Sequence, residues 1–412
     1  MAKLRGLSYN ILSLSILQVI NFTLTMVSLP YLTRVLKVES WGKVVFCMII
    51  INYLVWFSNW GFYVGTTKNI AACRDFKEKV NSVFSATWCS QWLLTLMSCF
   101  VLVLISFWYR EYALILISGI GIIIGNAMMP IWFLNGLELI RESAIFQILV
   151  KMLALPFYFL FINNEDDSFL YMLINSISAV IVGVLCLIWI RKKKIVELST
   201  VKKEKILEEL KINLGLFLTS LMANLNTSIV PTALGIFASP YELGLFNIAD
   251  RARGAAVTIL HPVTHALFPR MCHLFSSKKS EAFGVLFKLG LVFILSSLSI
   301  SIFLFIFPEF VISILGGKEY LNGVDCMKWL AFSPFFTTLS AFLSYQILIP
   351  NSYFRGYYFS SFLALAINLS LSYVLIKKYS VIGASSLILM TEVAVFLLLF
   401  IYTVIKFKKT NG

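Results

Sequence analysis

The stretch RKKKIVELSTVKKEKILEELK, residues 191–211, holds eight of the chain's 34 lysines and arginines and parts two long apolar halves. Working outward from it, the apolar runs on either side are long enough to cross a bilayer, which takes about 20 residues per helix. On the N-terminal side they fall near residues 8–31, 44–64, 81–107, 112–134, 143–162 and 168–190. On the C-terminal side they fall near 212–237, 243–266, 282–307, 326–349, 354–376 and 381–405. The pattern predicts an all-α polytopic membrane protein of about 12 transmembrane helices in two six-helix lobes, residues 1–190 and 212–412, joined by the basic linker 191–211.

Composition agrees with this count. Of 412 residues, 59% are hydrophobic and 13% charged, against about 45–50% and about 25% in soluble proteins. The mean hydropathy is +0.87. Twelve spans of about 20 residues consume nearly all the apolar positions, so no sizeable soluble domain remains, and a cytosolic enzyme or nucleic-acid-binding domain is excluded. The net charge of +14 then marks inner loops rather than a nucleic-acid partner, because short cytoplasmic loops retain Lys and Arg. With the N-terminus inside, the inner segments hold 22 Lys and Arg and the outer loops seven. Both termini and the linker are therefore expected in the cytoplasm, with the acidic loop NNEDDS (163–168) outside. The first apolar run is expected to stay as a signal anchor, since it is longer than a cleavable signal core. The seven cysteines (47, 73, 89, 99, 186, 272 and 326) show no CxxC spacing and are read as reduced packing residues. Pro30, Glu39 and Gly42 are echoed about 201 residues later by Pro231, Glu242 and Gly244, which is expected of a parallel repeat of two lobes with a cavity between them.

Several short motifs are spread over the chain: Asn10 and Leu29-Pro30-Tyr31-Leu32-Thr33-Arg34 with Trp41-Gly42; Trp60-Gly61 with Thr66-Thr67-Lys68; Pro130-Ile131-Trp132 with Asn135-Gly136-Leu137-Glu138. The second half adds Leu243-Gly244-Leu245-Phe246, Ala249-Asp250-Arg251 and Leu267-Phe268-Pro269-Arg270. In their order and spacing the sequence resembles the polysaccharide and O-antigen flippases of the multidrug/oligosaccharidyl-lipid/polysaccharide flippase superfamily. The resemblance implies the two-lobed fold shared with the related drug exporters of the MATE type and a place in the bacterial inner membrane. It further implies translocation of an isoprenoid-diphosphate-linked oligosaccharide, such as an O-antigen repeat unit, from the cytoplasmic to the periplasmic face by alternating access. The partners implied are that lipid-linked substrate, the bilayer, an O-antigen polymerase and a chain-length regulator. One departure is that many relatives carry an acidic residue mid-way along the seventh span, where this chain reads Asn224-Leu225-Asn226-Thr227-Ser228.

A charge at mid-membrane is expensive, at least about 2.5–3.5 kcal/mol on insertion scales, so each one needs a reason. Lys151, eight residues into the fifth span, is a candidate for meeting a diphosphate or an acidic sugar, or else half of a structural ion pair. In the eighth span Asp250 and Arg253 stand three apart and neutralise each other, which leaves Arg251 without a local charge partner and pointed toward a small, polar stripe. Glu392, mid-way along the twelfth span beside Thr391, is a candidate for H⁺ or Na⁺ coupling with Asp250 as a second, or else an ion-pair partner of another helix. Arg34, Asn59, Asn224, Asn226 and Trp60 complete the candidate substrate path; Asn21, Asn52, Asn126, Asn368 and Trp56 widen the sugar-binding vocabulary or act as interhelical glue. His261 and His265 have helical zinc spacing but lack further ligands, and Pro262 lies between them, so no metal or other cofactor is expected. Gly61-xxx-Gly65 and Gly121-xxx-Gly125 read as close helix contacts, and the linker as an amphipathic segment on the inner leaflet or a solvated tether. An exporter of drugs or other lipid precursors is the alternative within the same fold. A membrane glycan polymerase or ligase is disfavoured because no outer loop is long and no catalytic cluster is present.

Overall fold

A computed structural model describes the backbone of residues 2–277 and 279–411, and the side-chain surroundings of residues 23–407 except 25, 261, 262, 265, 266 and 278–280. The side chains of Asn10, Asn21, His261 and His265 thus lie outside the described residues. Among the described residues every regular element is helical, and eight helical runs are long and apolar enough to cross a membrane. The protein is a multi-pass membrane protein. Two of those runs, Met26–Cys73 and Phe354–Phe407, are 48 and 54 residues long, and each is interrupted: Lys37 has φ 56° and Ser380 φ 48°. Both breaks fall where the hydropathy pattern puts a boundary between neighbouring spans.

The chain forms two compact units, Met1–Met222 and Ala223–Gly412. In the first, α1 (Ala2–Asn59), α2 (Phe62–Cys73) and α3 (Lys77–Trp108) are followed by the short α4 (Ala113–Ser118), α5 (Ile120–Met128) and α6 (Ile131–Gly136), then α7 (Ile140–Phe161) and α8 (Ser168–Lys192). The expected second span does not run straight. Trp60 and Gly61 both take left-handed φ, 40° and 74°, and separate α1 from α2. A side chain at Gly61 would place its Cβ 2.6 Å from the backbone nitrogen of Phe217, so only glycine fits that approach. The two glycine pairs are close helix contacts. Gly121 faces Ser176 and Gly125 faces Ala179, both on α8, with a Cβ at either position falling 2.5–2.6 Å from the partner. Rings of Phe84, Trp132 and Phe133 fill the core beside them, the first and last with centroids 4.6 Å apart. All seven cysteines are free.

Part of the linker is held against the first unit, and its last residues, from Lys203, open α9. Residues 195–202 form no helix or strand and lie along the start of α3: Lys77 pairs with Glu197 at 2.6 Å, the Glu197 and Ser199 N–H groups donate to Asn81 Oδ1 and Ser85 Oγ at 3.0 and 2.9 Å, and Lys205 reaches Ser82 Oγ at 3.0 Å. A segment outside helix and sheet leaves its N–H groups without regular partners, and the polar residues at 81 and 85 on α3 supply acceptors that hydropathy alone does not reveal. The Lys77 ammonium holds the Glu197 carboxyl below the usual carboxylate range. The pair is therefore present at neutral pH and lost as the pH falls through that lowered range, a small effect because both groups are exposed.

In the second unit, the remainder of α9 (Lys203–Phe237) leads to α10 (Pro240–Ser277), α11 (Lys279–Ile306), α12 (Pro308–Leu315), α13 (Val324–Leu330), α14 (Ser333–Phe342) and α15 (Phe354–Asn411). The expected span 326–349 is not one helix. Pro334 sits in the first turn of α14, and α14 continues as a π-helical turn, Leu343–Leu348, a form that recurs where side chains must be re-aimed at a site. Within each unit the loops sort by end. In the first, Lys37–Glu165 (3.4 Å) and Lys43–Glu111 (2.8 Å) tie together the loops expected outside, while Arg74–Glu138 (2.5 Å) and Lys77–Glu197 tie together those expected inside. In the second, Ser380 donates to Glu242 and Asn322 to the Tyr241 hydroxyl at 2.8 Å, joining three loops expected outside.

Candidate functional site

The polar residues of the second unit converge on a cavity of about 360 Å³, space for roughly a dozen waters at about 30 Å³ each. Asn226 and Thr227 enter it from α9, Arg253 from α10, Thr337 and Ser340 from α14, Ser344 and Tyr345 from the π-helical turn, and Tyr357, Ser360, Ser361, Asn368, Thr391 and Glu392 from the two halves of α15. These helices also carry large exposed apolar residues, such as Ile236, Phe362 and Leu397, as expected of surfaces that face lipid. The cavity is thus a polar interior in a helical unit with an apolar coat.

Charge is arranged around one guanidinium. Arg253 Nε donates to Asp250 Oδ1 at 2.6 Å across one helical turn, as their spacing predicts. Glu392 lies near enough for its charge to act on Arg253, and the Thr337 hydroxyl is within hydrogen-bonding reach of it. The coupling and ion-pair readings of Glu392 therefore bear on one place, since Arg253, on another helix, is the cation whose charge reaches it. With both carboxylates ionised, the cluster of two acids and one arginine carries a net charge of −1 and can accept one further positive charge. Beside it runs a relay of neutral groups. Thr391 Oγ1 donates to Asn368 Oδ1 at 2.8 Å, and Asn368 Nδ2 donates to Asn226 Oδ1 at 3.4 Å. Ser340 is 7% exposed, and its hydroxyl has no protein partner among the described residues.

The other candidates are dispersed. Arg251 has a local partner after all: its Nε donates to Asn247 Oδ1 at 3.0 Å, one turn back, an amide that a search for opposite charges passes over. Asn224 is half-buried on α9, and its backbone carbonyl accepts from Thr227 at 2.9 Å. In the first unit Lys151 and Arg34 are exposed. Asn59 accepts from Gln91 at 3.1 Å, and Gln91 in turn accepts from the Trp132 indole at 2.9 Å, a buried relay. Trp60 donates to the Leu210 carbonyl at 2.9 Å and stacks on Phe217 at 4.2 Å, so it anchors a helix and is not an open platform. The cavity's hydroxyls at 337, 340, 344, 360 and 361 were not singled out by the sequence. The only signal there is a density of Ser, Thr and Tyr in spans ten and eleven, which reads equally as interhelical glue.

Comparison with known proteins bears on these observations. The family profile described as "Polysaccharide biosynthesis protein" matches residues 7–275. A protein provisionally assigned as an O-antigen transporter in Escherichia coli (strain K12) is 26% identical over 392 residues, covering 94% of each chain. Among solved structures, an inward-facing multidrug resistance MATE family transporter of the MOP superfamily superposes with a TM-score of 0.74 at 13% identity, covering 94% of this chain and 96% of that one. The lipid II flippase MurJ in an inward closed conformation gives 0.73 at 13% identity, covering 94% and 86%.

Proposed function

We propose, from the premise that the chain belongs to the polysaccharide biosynthesis protein family, that it is a flippase carrying an isoprenoid-diphosphate-linked oligosaccharide, an O-antigen repeat unit or a similar glycan, across the bacterial inner membrane by alternating access. It acts as a transporter and not as an enzyme. The observation that carries this reading is the cavity of the second unit, whose amide, hydroxyl and tyrosine lining matches the hydrogen-bonding needs of sugar hydroxyls while its helices remain coated for lipid. Sugars are recognised by directional donors and acceptors on a mainly rigid frame. The relay Thr391–Asn368–Asn226 orients such groups. The Asp250–Arg253–Glu392 cluster supplies the coupling element: its net −1 charge takes up one H⁺ or Na⁺, and a change in its occupancy biases the equilibrium between inward- and outward-open states. Arg251, Arg34 and Lys151 are proposed as cationic points along the path of the diphosphate. An O-antigen polymerase and a chain-length regulator are proposed as downstream partners, since the product must be consumed on the far face.

A deletion strain is expected to accumulate the lipid-linked oligosaccharide on the cytoplasmic face, and chemical analysis of that lipid fraction identifies the sugars. Restoring the gene with Ser361→Trp, which projects a large ring into the cavity from an exposed position, should leave membrane abundance unchanged and restore less than about a tenth of the surface glycan. Full restoration by that variant would remove the cavity from the transport path. Orientation is tested separately. With both termini and the linker proposed as cytoplasmic, a reporter fused after Lys193 should behave as cytoplasmic and one inserted at Asp166 as periplasmic; the opposite pair of results inverts the topology.

A further inference from the structure

The two halves of α15 meet on a second face that the polar cavity does not use. Ser380 turns the chain back on itself, and at the far end of this hairpin Gly356 admits Tyr402: a Cβ at 356 would fall 2.5 Å from its ring. Beside that contact the halves part into a groove of about 680 Å³, lined by Phe359 from the first half and by Ala394, Leu398, Ile401 and Ile405 from the second. Those last four recur at spacings of four, three and four, which puts them on one helical face. No residue that lines the groove also lines the polar cavity. Arg355 and Phe359 face one way from the first half, while Tyr357 and Ser361 lie about 200° round the same helix. Phe359 is 60% exposed and Ile401 54%, so the groove opens toward lipid.

Its one charged lining residue is Arg355, which is exposed, and no carboxylate lines it. Arg355 stands in sequence among Tyr353, Tyr357 and Tyr358, with Tyr402 across the Gly356 contact; tyrosine gathers at the level of the lipid headgroups. A second cation, Lys406, lies over the Tyr353 and Tyr402 rings at 5.4 and 5.5 Å. Glu281, in the first turn of α11, brings an acid to this end, since Phe283 meets Phe407 at 5.4 Å. It can balance Lys406, but it is outside the lining of the groove and leaves the Arg355 charge to be answered. From Ala394 to Ile405 the groove follows about 17 Å of helix. One leaflet of the hydrocarbon core is about 15 Å deep, so the groove is as long as a single leaflet, with its cation at the headgroup end.

We propose that this groove holds a resident anionic phospholipid, with one acyl chain along Phe359 and the 394–405 face and its phosphate on the Arg355 guanidinium. The apolar lining matches the chain, the length matches one leaflet, and the unanswered cation matches a headgroup of net negative charge, as in basic pockets between membrane helices. A zwitterionic headgroup brings its own cation and gains less. The groove lies on the back of the helices that carry Asn368, Thr391 and Glu392 into the cavity, so the lipid braces the two halves of α15 and is a fixed constituent, apart from the transported cargo.

Native mass spectrometry tests this on the full-length protein, stripped of lipid in detergent and then given phosphatidylglycerol or phosphatidylcholine with the same acyl chains. The wild type is expected to retain one phosphatidylglycerol, about fivefold more tightly than phosphatidylcholine. Arg355→Gln should lower the phosphatidylglycerol affinity about fivefold, the fold-change that corresponds to about 1 kcal/mol per cation near the headgroups, and leave phosphatidylcholine nearly unaffected. Ala394→Trp, which fills the groove, should abolish retention of both, whereas Lys377→Gln at the opposite end of the hairpin should change neither. Equal retention of the two lipids by the wild type, or phosphatidylglycerol binding unaltered in Arg355→Gln, overturns the proposal. So does displacement of phosphatidylglycerol by an equimolar long-chain isoprenyl phosphate, which gives the groove to the transported class of lipid. The Arg355 comparison decides even if Ala394→Trp accumulates poorly. Binding is read without transport, so the result is independent of whether the polar cavity carries a glycan.

Discussion

Replacing Arg253 by alanine is expected to remove most of the protein from the membrane fraction. The guanidinium, with its side chain 20% exposed, is bonded to Asp250 and lies within the charge field of Glu392. Its loss leaves the carboxylates of Asp250 and Glu392 at a cavity whose lining offers no other Lys or Arg. Breaking a buried pair from one side costs about 3–5 kcal/mol because the remaining charge is left uncompensated, and that is a large part of the roughly 5–15 kcal/mol by which a domain is stable. Neutralising the acids as well should undo the damage. The triple variant Arg253→Ala, Asp250→Asn, Glu392→Gln is expected to return to near wild-type abundance, because neutral amides make no comparable demand. Quantitative membrane immunoblots and thermal unfolding in detergent provide the measurement. Full abundance of Arg253→Ala alone would show that the cluster is solvated and holds no structural charge balance.

Glu392→Gln alone is expected to have the opposite profile: normal abundance and lost coupling. Glutamine keeps the shape and the contact with Thr337 but cannot change charge. Arg253 retains Asp250, so no cation is stranded. If one positive charge moves with each cycle, a potential of about 100 mV contributes about 2.3 kcal/mol, a roughly 40-fold difference in accumulation at 1.4 kcal/mol per tenfold. Transport in reconstituted vesicles should show that dependence in the wild type, with either an H⁺ or a Na⁺ gradient, and lose it in the variant. Undiminished gradient dependence at normal abundance would place the coupling charge elsewhere.

The cluster at Arg253 shows how far one-dimensional reasoning reaches. Asp250 and Arg253 could be paired from the sequence because their partnership is local, set by the 100° turn per residue of a single helix. Glu392 could be singled out because a carboxylate in an apolar run is rare. That it shares Arg253 with Asp250 could not be read, since 139 positions separate the two and no periodicity connects them. The same distinction explains Trp60 but not Arg251. Trp60 was a candidate stacking platform, and its contacts with Leu210 and Phe217 lie some 150 positions away; Asn247, one turn from Arg251, was within reach of helical spacing but carries no charge to draw notice.

Fold class and multi-pass character were determined by the sequence alone, because solvation in a bilayer acts on every residue independently and a run of about 20 apolar positions can satisfy it in only one way. Which polar residues share a cavity, that a helix breaks at Trp60 inside an expected span, and that residues 195–202 are pinned to α3 were decided only by the tertiary structure. Those outcomes depend on pairwise contacts between helices whose apolar faces look alike in sequence. In lipid no hydrophobic gradient distinguishes one neighbour from another, so close packing at glycines and a few hydrogen bonds choose the partners.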